Sequence, residues 1–204
     1  MESKRPKERR KSLVRLARAV SVITFPPLVA LPTFLILDAS LGGPGSRLLV
    51  GVLALTFGVV WPIAVALVLI LRRHPAGIET PRERPVLLGL GAIGYSFGVA
   101  LLVAVGSPVL VTLLMLCYAT NTVALLAINL YWKASAHAMG IAGPTMALVF
   151  GVGVPGALLS LLLPVVGWSR IRLRAHTLSQ VVVGAALGYV LTGTQIALGL
   201  RWLR

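Results

Sequence analysis

Long stretches of apolar residues without any charge dominate the pattern along this chain. Between successive charged positions these stretches are 19 to 48 residues long, whereas an α-helix needs about 20 apolar residues to cross a bilayer. Five stretches reach that length, at residues 19–37, 48–71, 85–132, 134–169 and 175–200. The pattern therefore predicts an all-α protein, a polytopic bundle of transmembrane helices.

Two of the stretches are too long for a single simple crossing. Val105–Pro108 interrupts the 48-residue stretch and predicts two helices there. The 36-residue stretch contains the glycine-rich turn signal Gly151–Gly156, which leaves one long crossing or two short ones. The chain thus predicts six or seven crossings. Seven requires that the 14 residues of Ala138–Gly151, about 21 Å of helix, are extended towards Lys133 or end in a turn shielded within the membrane.

The distribution of basic residues predicts how the bundle is oriented in the membrane. The chain has 19 Lys and Arg against 5 Asp and Glu, a net charge of +14, and a mean hydropathy of +0.94. Lys and Arg gather on the cytoplasmic side of membrane proteins. Seven crossings place sixteen of the nineteen basic residues on one side and six crossings place fifteen there, so both predict a cytosolic N-terminus.

The basic N-terminus is predicted to form a separate segment. Residues 1–18 hold eight of the basic residues, and we expect a cytosolic tail that is solvated and partly disordered over Lys4–Arg18. Such a tail is also attracted to anionic membrane lipids. Residues 19–204 are expected to form a single transmembrane domain. No soluble module accompanies the charge, so we do not expect nucleic acid as a partner.

Two histidines stand at the mouths of apolar helices with cationic residues just before them. His137 follows Lys133, and His176 follows Arg170. Arg and Lys bind phosphate, and helix N-termini add N–H donors. One histidine is suited to attack phosphorus and a second to protonate the leaving oxygen. The five acidic residues form no cluster that would hold Mg²⁺, so the sequence favours a metal-independent reaction without a cofactor; they are Glu2, Glu8, Asp38, Glu79 and Glu83.

The order of these residues resembles the type 2 phosphatidic acid phosphatase superfamily, the lipid phosphate phosphatases, whose motifs are KxxxxxxRP, PSGH and SRxxxxxHxxxD. Arg84-Pro85 matches the end of the first motif. Ser135 and His137 match the second. The third matches from Ser169-Arg170 through His176, with Gln180 at its last position, and the following Gly184 also suits the family.

The resemblance implies a role for each matched residue. His176 would be the nucleophile that forms a phosphohistidine, and His137 the general acid. The phosphate oxygens would be held by Arg84, Arg170, Ser135 and the backbone N–H of Ala136. The family keeps its motifs on one membrane face, which favours two crossings in 134–169 and therefore seven in all. The insertion at 86–131 then adds two crossings to the family's six-helix plan, and the site faces the cytosol from the inner or plasma membrane.

Three departures from the family pattern bear on activity. Gly77 stands where the family has its motif lysine, and Lys133 or Arg82 would supply the missing cation. Alanine replaces the family's Pro and Gly at positions 134 and 136. Gln180 replaces the aspartate that orients the nucleophile; a glutamine oxygen accepts the same hydrogen bond but adds no charge.

The resemblance predicts a membrane phosphatase acting on a lipid phosphate or diphosphate of the polyprenyl or phosphatidic acid type. Three alternatives stay open at this point. One is a phosphotransferase that passes the phosphoryl group to another acceptor. Another is a catalytically impaired protein that only binds lipid phosphates, as Gly77 and Gln180 suggest. The last is a transporter or structural membrane protein in which the motif match is accidental.

Overall fold

The fold is an all-helical bundle. A computed structural model describes residues 4–41, 47–72 and 83–202, and within these ranges it contains helices and connecting turns without strands. The α-helices are α1 (Lys4–Ile23), α2 (Pro26–Leu41), α3 (Arg47–Leu55), α4 (Trp61–Arg72), α5 (Glu83–Ala104), α6 (Val109–Asn129), α7 (Ala136–Val152), α8 (Leu162–Arg172) and α9 (Leu178–Trp202).

The expected disorder of Lys4–Arg18 is wrong, because this segment is helical. Helix α1 runs from the basic residues into the first apolar stretch and so passes through the expected boundary between residues 18 and 19. It ends just before two prolines, Pro26 and Pro27, which begin α2 with the direction of the chain turned by 44°. Proline cannot supply the backbone N–H that would continue α1, although it is well suited to the first turn of a new helix.

The second apolar stretch forms one long helical unit. Helices α3 and α4 are joined by a single π-helical turn, Thr56–Val60, so that Leu48–Arg72 is continuous. A π-turn adds a residue to the helical repeat and shifts the faces that follow it. The side chain of Phe34 from α2 lies against Gly58 within this turn, at a place where a Cβ atom would meet its ring at 2.5 Å.

Both predicted breaks are confirmed. The 48-residue stretch divides into α5 and α6 at residues 105–108, where Gly106 has a φ of +63°. The 36-residue stretch divides at Gly153, whose φ of +76° is unfavourable for residues with a side chain. After Gly153, the 3₁₀ segment Val154–Leu161 leads into α8. Helix α7 begins at Ala136, two residues before Ala138–Gly151, the 14-residue run whose short length is the argument against two crossings.

Length and composition make this chain a membrane protein. Among the described residues, five helical units are long and apolar enough to cross a bilayer, and six are if the bent pair Glu8–Ile23 and Pro26–Leu41 is one span. Helix α7 is apolar but shorter, with 17 residues. Large apolar side chains also point outwards; Leu48, for example, is 83% exposed and Val154 is 84% exposed. A cytosolic N-terminus stays a prediction.

The interior of the bundle is organised around α7, which packs closely along α9. The approach is made possible by two glycines of α9. A Cβ atom on Gly184 would lie 2.4 Å from the carbonyl oxygen of Ser135, and one on Gly188 would lie 2.7 Å from that of Met139. Small residues of this kind allow membrane helices to come into backbone contact. This close packing fixes the start of α7 against the start of α9, where the predicted site residues lie.

Candidate active site

Three segments that are far apart in the sequence meet at one end of the bundle. They are the start of α5, residues 133–137 at the start of α7, and residues 170–180 between α8 and α9. Three hydrogen bonds join them, from Arg84 Nη2 to Ala134 O (2.6 Å), from Lys133 Nζ to Ala175 O (2.9 Å) and from Ser135 N to Gln180 O (3.1 Å). The structure therefore brings all three sequence motifs together, an arrangement that the division of 134–169 into two helices allows.

His176 lies in the turn between α8 and α9 and is only 8% exposed. Its Nδ1 atom is 3.2 Å from Oε1 of Gln180, and the backbone N–H of Thr177 donates to the same oxygen at 3.1 Å. Because the Thr177 N–H requires an acceptor, the amide oxygen of Gln180 faces this turn. The hydrogen of the neutral imidazole then sits on Nδ1, which leaves the lone pair on Nε2 for attack on an electrophile.

The surroundings of His176 strongly disfavour its protonated form. Burial, followed by the positive charges of Arg170, Lys133 and Arg84, lowers the pKa of His176 to about 4, although the hydrogen bond to Gln180 opposes this change. The ordinary value for histidine is about 6.5. His176 is therefore a neutral imidazole at pH 7, surrounded by three cationic side chains. A neutral imidazole is the form that acts as a nucleophile.

The turn that carries His176 is tightly closed at the end of α8. The N–H of Ala175 donates to the carbonyl of Arg170 at 3.0 Å, and that of Arg174 donates to the carbonyl of Ile171 at 2.9 Å. This pair of bonds is a Schellman motif, which normally has glycine at the left-handed position. Here that position is occupied by Arg174, with a φ of +54°. The backbone is therefore strained two residues before His176.

The start of α7 presents a second set of polar groups. Ser135 is the N-cap, and its Oγ atom accepts the N–H of Ala138 at 3.4 Å. Ser135 is fully buried and does not line the neighbouring cavity, so its hydroxyl has a structural role here and its contact with phosphate stays a prediction. Ala136 is the first residue of the helix, and its N–H belongs to the end of the helix that favours anions.

His137, on the first turn of α7, contacts the end of α1. Its Nε2 atom lies 3.1 Å from the carbonyl oxygen of Ser21 and 3.4 Å from the hydroxyl of the same residue. Because a carbonyl oxygen only accepts, the hydrogen in the shorter contact belongs to Nε2 of His137. The ring of Phe25 lies beside the imidazole, with centroids 6.0 Å apart. The histidine is thus held with a hydrogen on the atom that the predicted general acid needs.

Ser21 also contacts the predicted phosphate-binding arginine of α8. Arg170 is buried and donates from Nη1 to the hydroxyl of Ser21 at 2.7 Å. The neighbouring Ser169 donates to the carbonyl of Ala17 at 2.7 Å. These bonds attach α1 to α8: Ala17, within the predicted basic tail, accepts one of them, and Ser21, in the first apolar stretch, accepts the other. Burial of an arginine in such a bundle requires polar partners of this kind.

A cavity of about 160 Å³ begins at this cluster and extends into the bundle. Arg84, His137 and His176 line one part of it, and Tyr95, Asn121 and Thr192 line another. The remaining wall is mainly apolar and comes from the start of α2 and from α4 to α7. The site therefore combines a cationic region that suits a phosphate with an adjoining apolar space.

The sequence missed two residues that support the site. Ser21 connects both Arg170 and His137 to α1, and Asn129 accepts the N–H of Ala134 through its Oδ1 atom at 2.9 Å. Both are isolated polar residues in apolar stretches, and that is the only signal that would have found them. Two sequence predictions, for Arg82 and Gly77, lie outside the described residues.

Within the described ranges, no three His, Cys, Asp or Glu side chains come close enough to form a metal site. Comparison with protein-family models, with curated proteins and with solved structures gives no match to this chain.

Proposed function

We propose that this protein is an integral membrane phosphatase that hydrolyses a lipid phosphate or diphosphate through a phosphohistidine on His176. The observation that carries the proposal is the state of His176, which is buried, neutral and surrounded by Arg170, Lys133 and Arg84. Three cations around a neutral imidazole match a phosphate group that approaches its unprotonated nitrogen. A purely structural histidine at a helix end does not need this surplus of positive charge.

In the first step, the Nε2 lone pair of His176 attacks phosphorus and the bond from phosphorus to the leaving oxygen breaks. His137, in its protonated form, transfers its Nε2 proton to that oxygen. In the resting structure that hydrogen is donated to the carbonyl oxygen of Ser21, and His137 also lines the cavity from which the leaving oxygen reaches it. Arg84 and Arg170 stabilise the charge on the other phosphate oxygens, which is the main requirement of phosphoryl transfer.

In the second step, water attacks phosphorus, the phosphorus–nitrogen bond breaks and His137 accepts a proton from the water. Inorganic phosphate and a neutral His176 result, so no metal or cofactor is needed. An acceptor alcohol in place of water would make the protein a phosphotransferase. We place the site at the cytosolic face of the inner or plasma membrane, because the basic residues concentrate on the side that carries the motifs.

Phosphate release tests the proposal directly. The purified full-length protein, in nanodiscs and with a chelator present, is incubated with polyprenyl phosphates, polyprenyl diphosphates and phosphatidic acid. We expect release of inorganic phosphate, an acid-labile phosphoryl group on the protein, and loss of both in His176→Ala. Adding short alcohols then separates hydrolysis from transfer. Full activity in a monodisperse His176→Ala protein would overturn the mechanism.

A catalytically impaired lipid-phosphate binder is the second candidate, and Gln180 is the observation that favours it. The uncharged amide orients His176 but leaves an imidazolium without a negative partner. For this candidate, the same lipids bind with an affinity that depends on Arg84 and Arg170, and no phosphate is released from any of them. The release assay and a binding assay on the same preparations separate the two candidates.

A further inference from the structure

Helices α5, α6 and α7 form most of the cavity beside the cationic cluster. Leu87, Leu88 and Gly91 of α5 line it together with Leu114, Cys117 and Leu125 of α6. Helix α5 beyond Pro85 and helix α6 make up most of the 86–131 segment, which carries none of the matched motif residues. Two of the polar groups in the cavity are engaged with their neighbours, since Asn121 donates to Thr192 at 2.8 Å and accepts from Gln195 at 2.9 Å. The hydroxyl of Tyr118, which also lines the cavity, is buried without a hydrogen-bond partner among the described residues. The cavity therefore has an apolar wall and a cationic end.

The volume of the cavity limits the size of the group that it can bind. An apolar cavity of roughly 150 Å³ holds one benzene molecule, which has six carbon atoms. At about 160 Å³, this cavity has room for a hydrocarbon segment of similar size. Water is a poor occupant, because an apolar wall does not replace the hydrogen bonds that water loses.

We propose that the cavity binds the first part of a single lipid chain, about six carbon atoms next to the phosphate, while the phosphate lies at Arg84 and His176. This rests on the proposed function for the identity of the head group. The ligand class is therefore a single-chain lipid phosphate, such as a prenyl or alkyl phosphate. The cationic end of the cavity binds the phosphate, and the apolar wall contacts the hydrocarbon chain attached to it. The two regions therefore lie in the same order as the two parts of the ligand.

A diacylglycerol phosphate does not fit this arrangement. Its two chains branch within three carbons of the phosphate, and each begins with an ester. Apart from the hydroxyl of Tyr118 the wall is mainly apolar, so two esters placed in the cavity would leave at least one carbonyl unpaired, at a cost of roughly 1–3 kcal/mol for each unpaired polar group. Two chains also need more width than a space that holds about six carbons. The structure thus favours single-chain over diacyl phosphates.

Two glycines on α5 provide a matched pair of variants. Gly91 lines the cavity, and a Cβ atom there would make only an ordinary contact, 3.8 Å from the ring of Tyr95. Gly89 is two residues away, and a Cβ atom there meets nothing within 4 Å. Gly91→Leu therefore fills the cavity, whereas Gly89→Leu adds the same side chain outside it. Thr122→Leu, also in the cavity wall, serves as a second filling variant if Gly91→Leu is not monodisperse.

The experiment uses two photoreactive probes with the full-length protein in nanodiscs. One is a prenyl phosphate with a diazirine on its fourth carbon, and the other is a phosphatidic acid with a diazirine on the fourth carbon of an acyl chain. Labelled residues are identified by mass spectrometry. We expect the prenyl probe to label Cys117 and Tyr118. This labelling should fall at least tenfold in Gly91→Leu or Thr122→Leu and stay unchanged in Gly89→Leu, and the diacyl probe should give less than a tenth of it.

Labelling confined to the lipid-facing surface would overturn the proposal. So would equal labelling of the cavity by both probes, or undiminished labelling in the filled variants. Because photolabelling needs no turnover, the probes are also applied to His176→Ala. Cavity labelling without phosphate release in the wild-type protein means that the proposed function fails and the cavity assignment stands. Phosphate release without cavity labelling means the reverse.

Discussion

The guanidinium of Arg170 and the hydroxyl of Ser21 are 2.7 Å apart, and this hydrogen bond joins helix α1 to the candidate active site. The two residues are 149 positions apart in the sequence. Ser21 contacts the site a second time, since its carbonyl oxygen lies 3.1 Å from Nε2 of His137. One residue of α1 therefore positions both a predicted phosphate-binding group and the predicted general acid.

Ser21→Ala should weaken phosphate binding. The variant removes the acceptor of Arg170, and a hydrogen bond to a charged group contributes about 1.5–3 kcal/mol. We expect KM for the lipid phosphate to rise about tenfold or more with a smaller change in kcat, because the carbonyl contact with His137 remains. Steady-state phosphate release measures both constants.

Two further variants separate positioning from a general loss of stability. Ser21→Thr keeps the hydroxyl and should restore KM. Ser160→Ala removes a serine that is also hydrogen-bonded, to Tyr189 at 2.6 Å, but lies outside the site. If Ser160→Ala raised KM as much as Ser21→Ala does, the effect would not be specific to Arg170.

The pH dependence of kcat/KM should report the neutral state of His176. Protonation fills Nε2 and stops the attack, so activity falls as the pH falls through the pKa of His176. Since this pKa is about 4, we expect the acid limb near pH 4 instead of near 6.5. The pH profile of the wild-type protein, recorded with one lipid phosphate in nanodiscs, checks this.

Gln180→Glu should move that acid limb to higher pH. The carboxylate accepts the same hydrogen from Nδ1 and adds a negative charge, which stabilises the protonated imidazole and raises the pKa of His176, by roughly 1–3 units. We also expect kcat to rise, because the charge stabilises the imidazole as it bonds to phosphorus. Gln180→Leu, which has no acceptor, should lower kcat. An acid limb that stays in place in Gln180→Glu would show that another group controls it.

Gly184→Ala should destabilise the protein and lower activity together. The added Cβ atom would lie 2.4 Å from the carbonyl oxygen of Ser135, and neither backbone can move aside cheaply. Overpacking of this kind costs about 1–3 kcal/mol. Thermal unfolding in detergent, together with phosphate release, measures the effect. Gly89→Ala is the control, because the space around it is open and its Tm should not fall.

Arg174→Gly should stabilise the turn before His176. A residue with a side chain in the left-handed region costs about 1–2 kcal/mol, and glycine removes that cost. We expect the Tm to rise in Arg174→Gly. In Arg172→Gly, on the last turn of α8, the Tm should fall, since glycine within a helix costs about 1 kcal/mol. A lower Tm in Arg174→Gly would mean that contacts of the arginine side chain outweigh the backbone strain.

The sequence predicts the helices of this fold well, because each break has a local cause. The division at residues 105–108 and the turn at Gly153 both follow from glycine and proline in apolar stretches. The helical state of Lys4–Arg18 was not predicted. Basic residues alone indicate solvation, and the contact that holds this helix, from Ser169 to Ala17, is between residues 152 positions apart.

The site was predictable where a motif carries its residues, and not where single residues complete it. Arg84, His137 and His176 line one cavity, as their predicted roles require. Ser21 acts through its hydroxyl and its carbonyl oxygen, and Asn129 through its side-chain oxygen, at positions that only the packed helices determine. No spacing rule connects such residues to the motifs they support.

The bond from the N–H of Ser135 to the carbonyl of Gln180 has a consequence for how this site can change over evolutionary time. Main-chain atoms hold the segments of the two histidines in register, and main-chain atoms are the same for every residue except proline. Substitutions can therefore accumulate in the side chains around the two histidines while their relative position persists. With the main chain holding the two segments together, the side chains can change until a motif search no longer detects them, while the geometry of the site is retained.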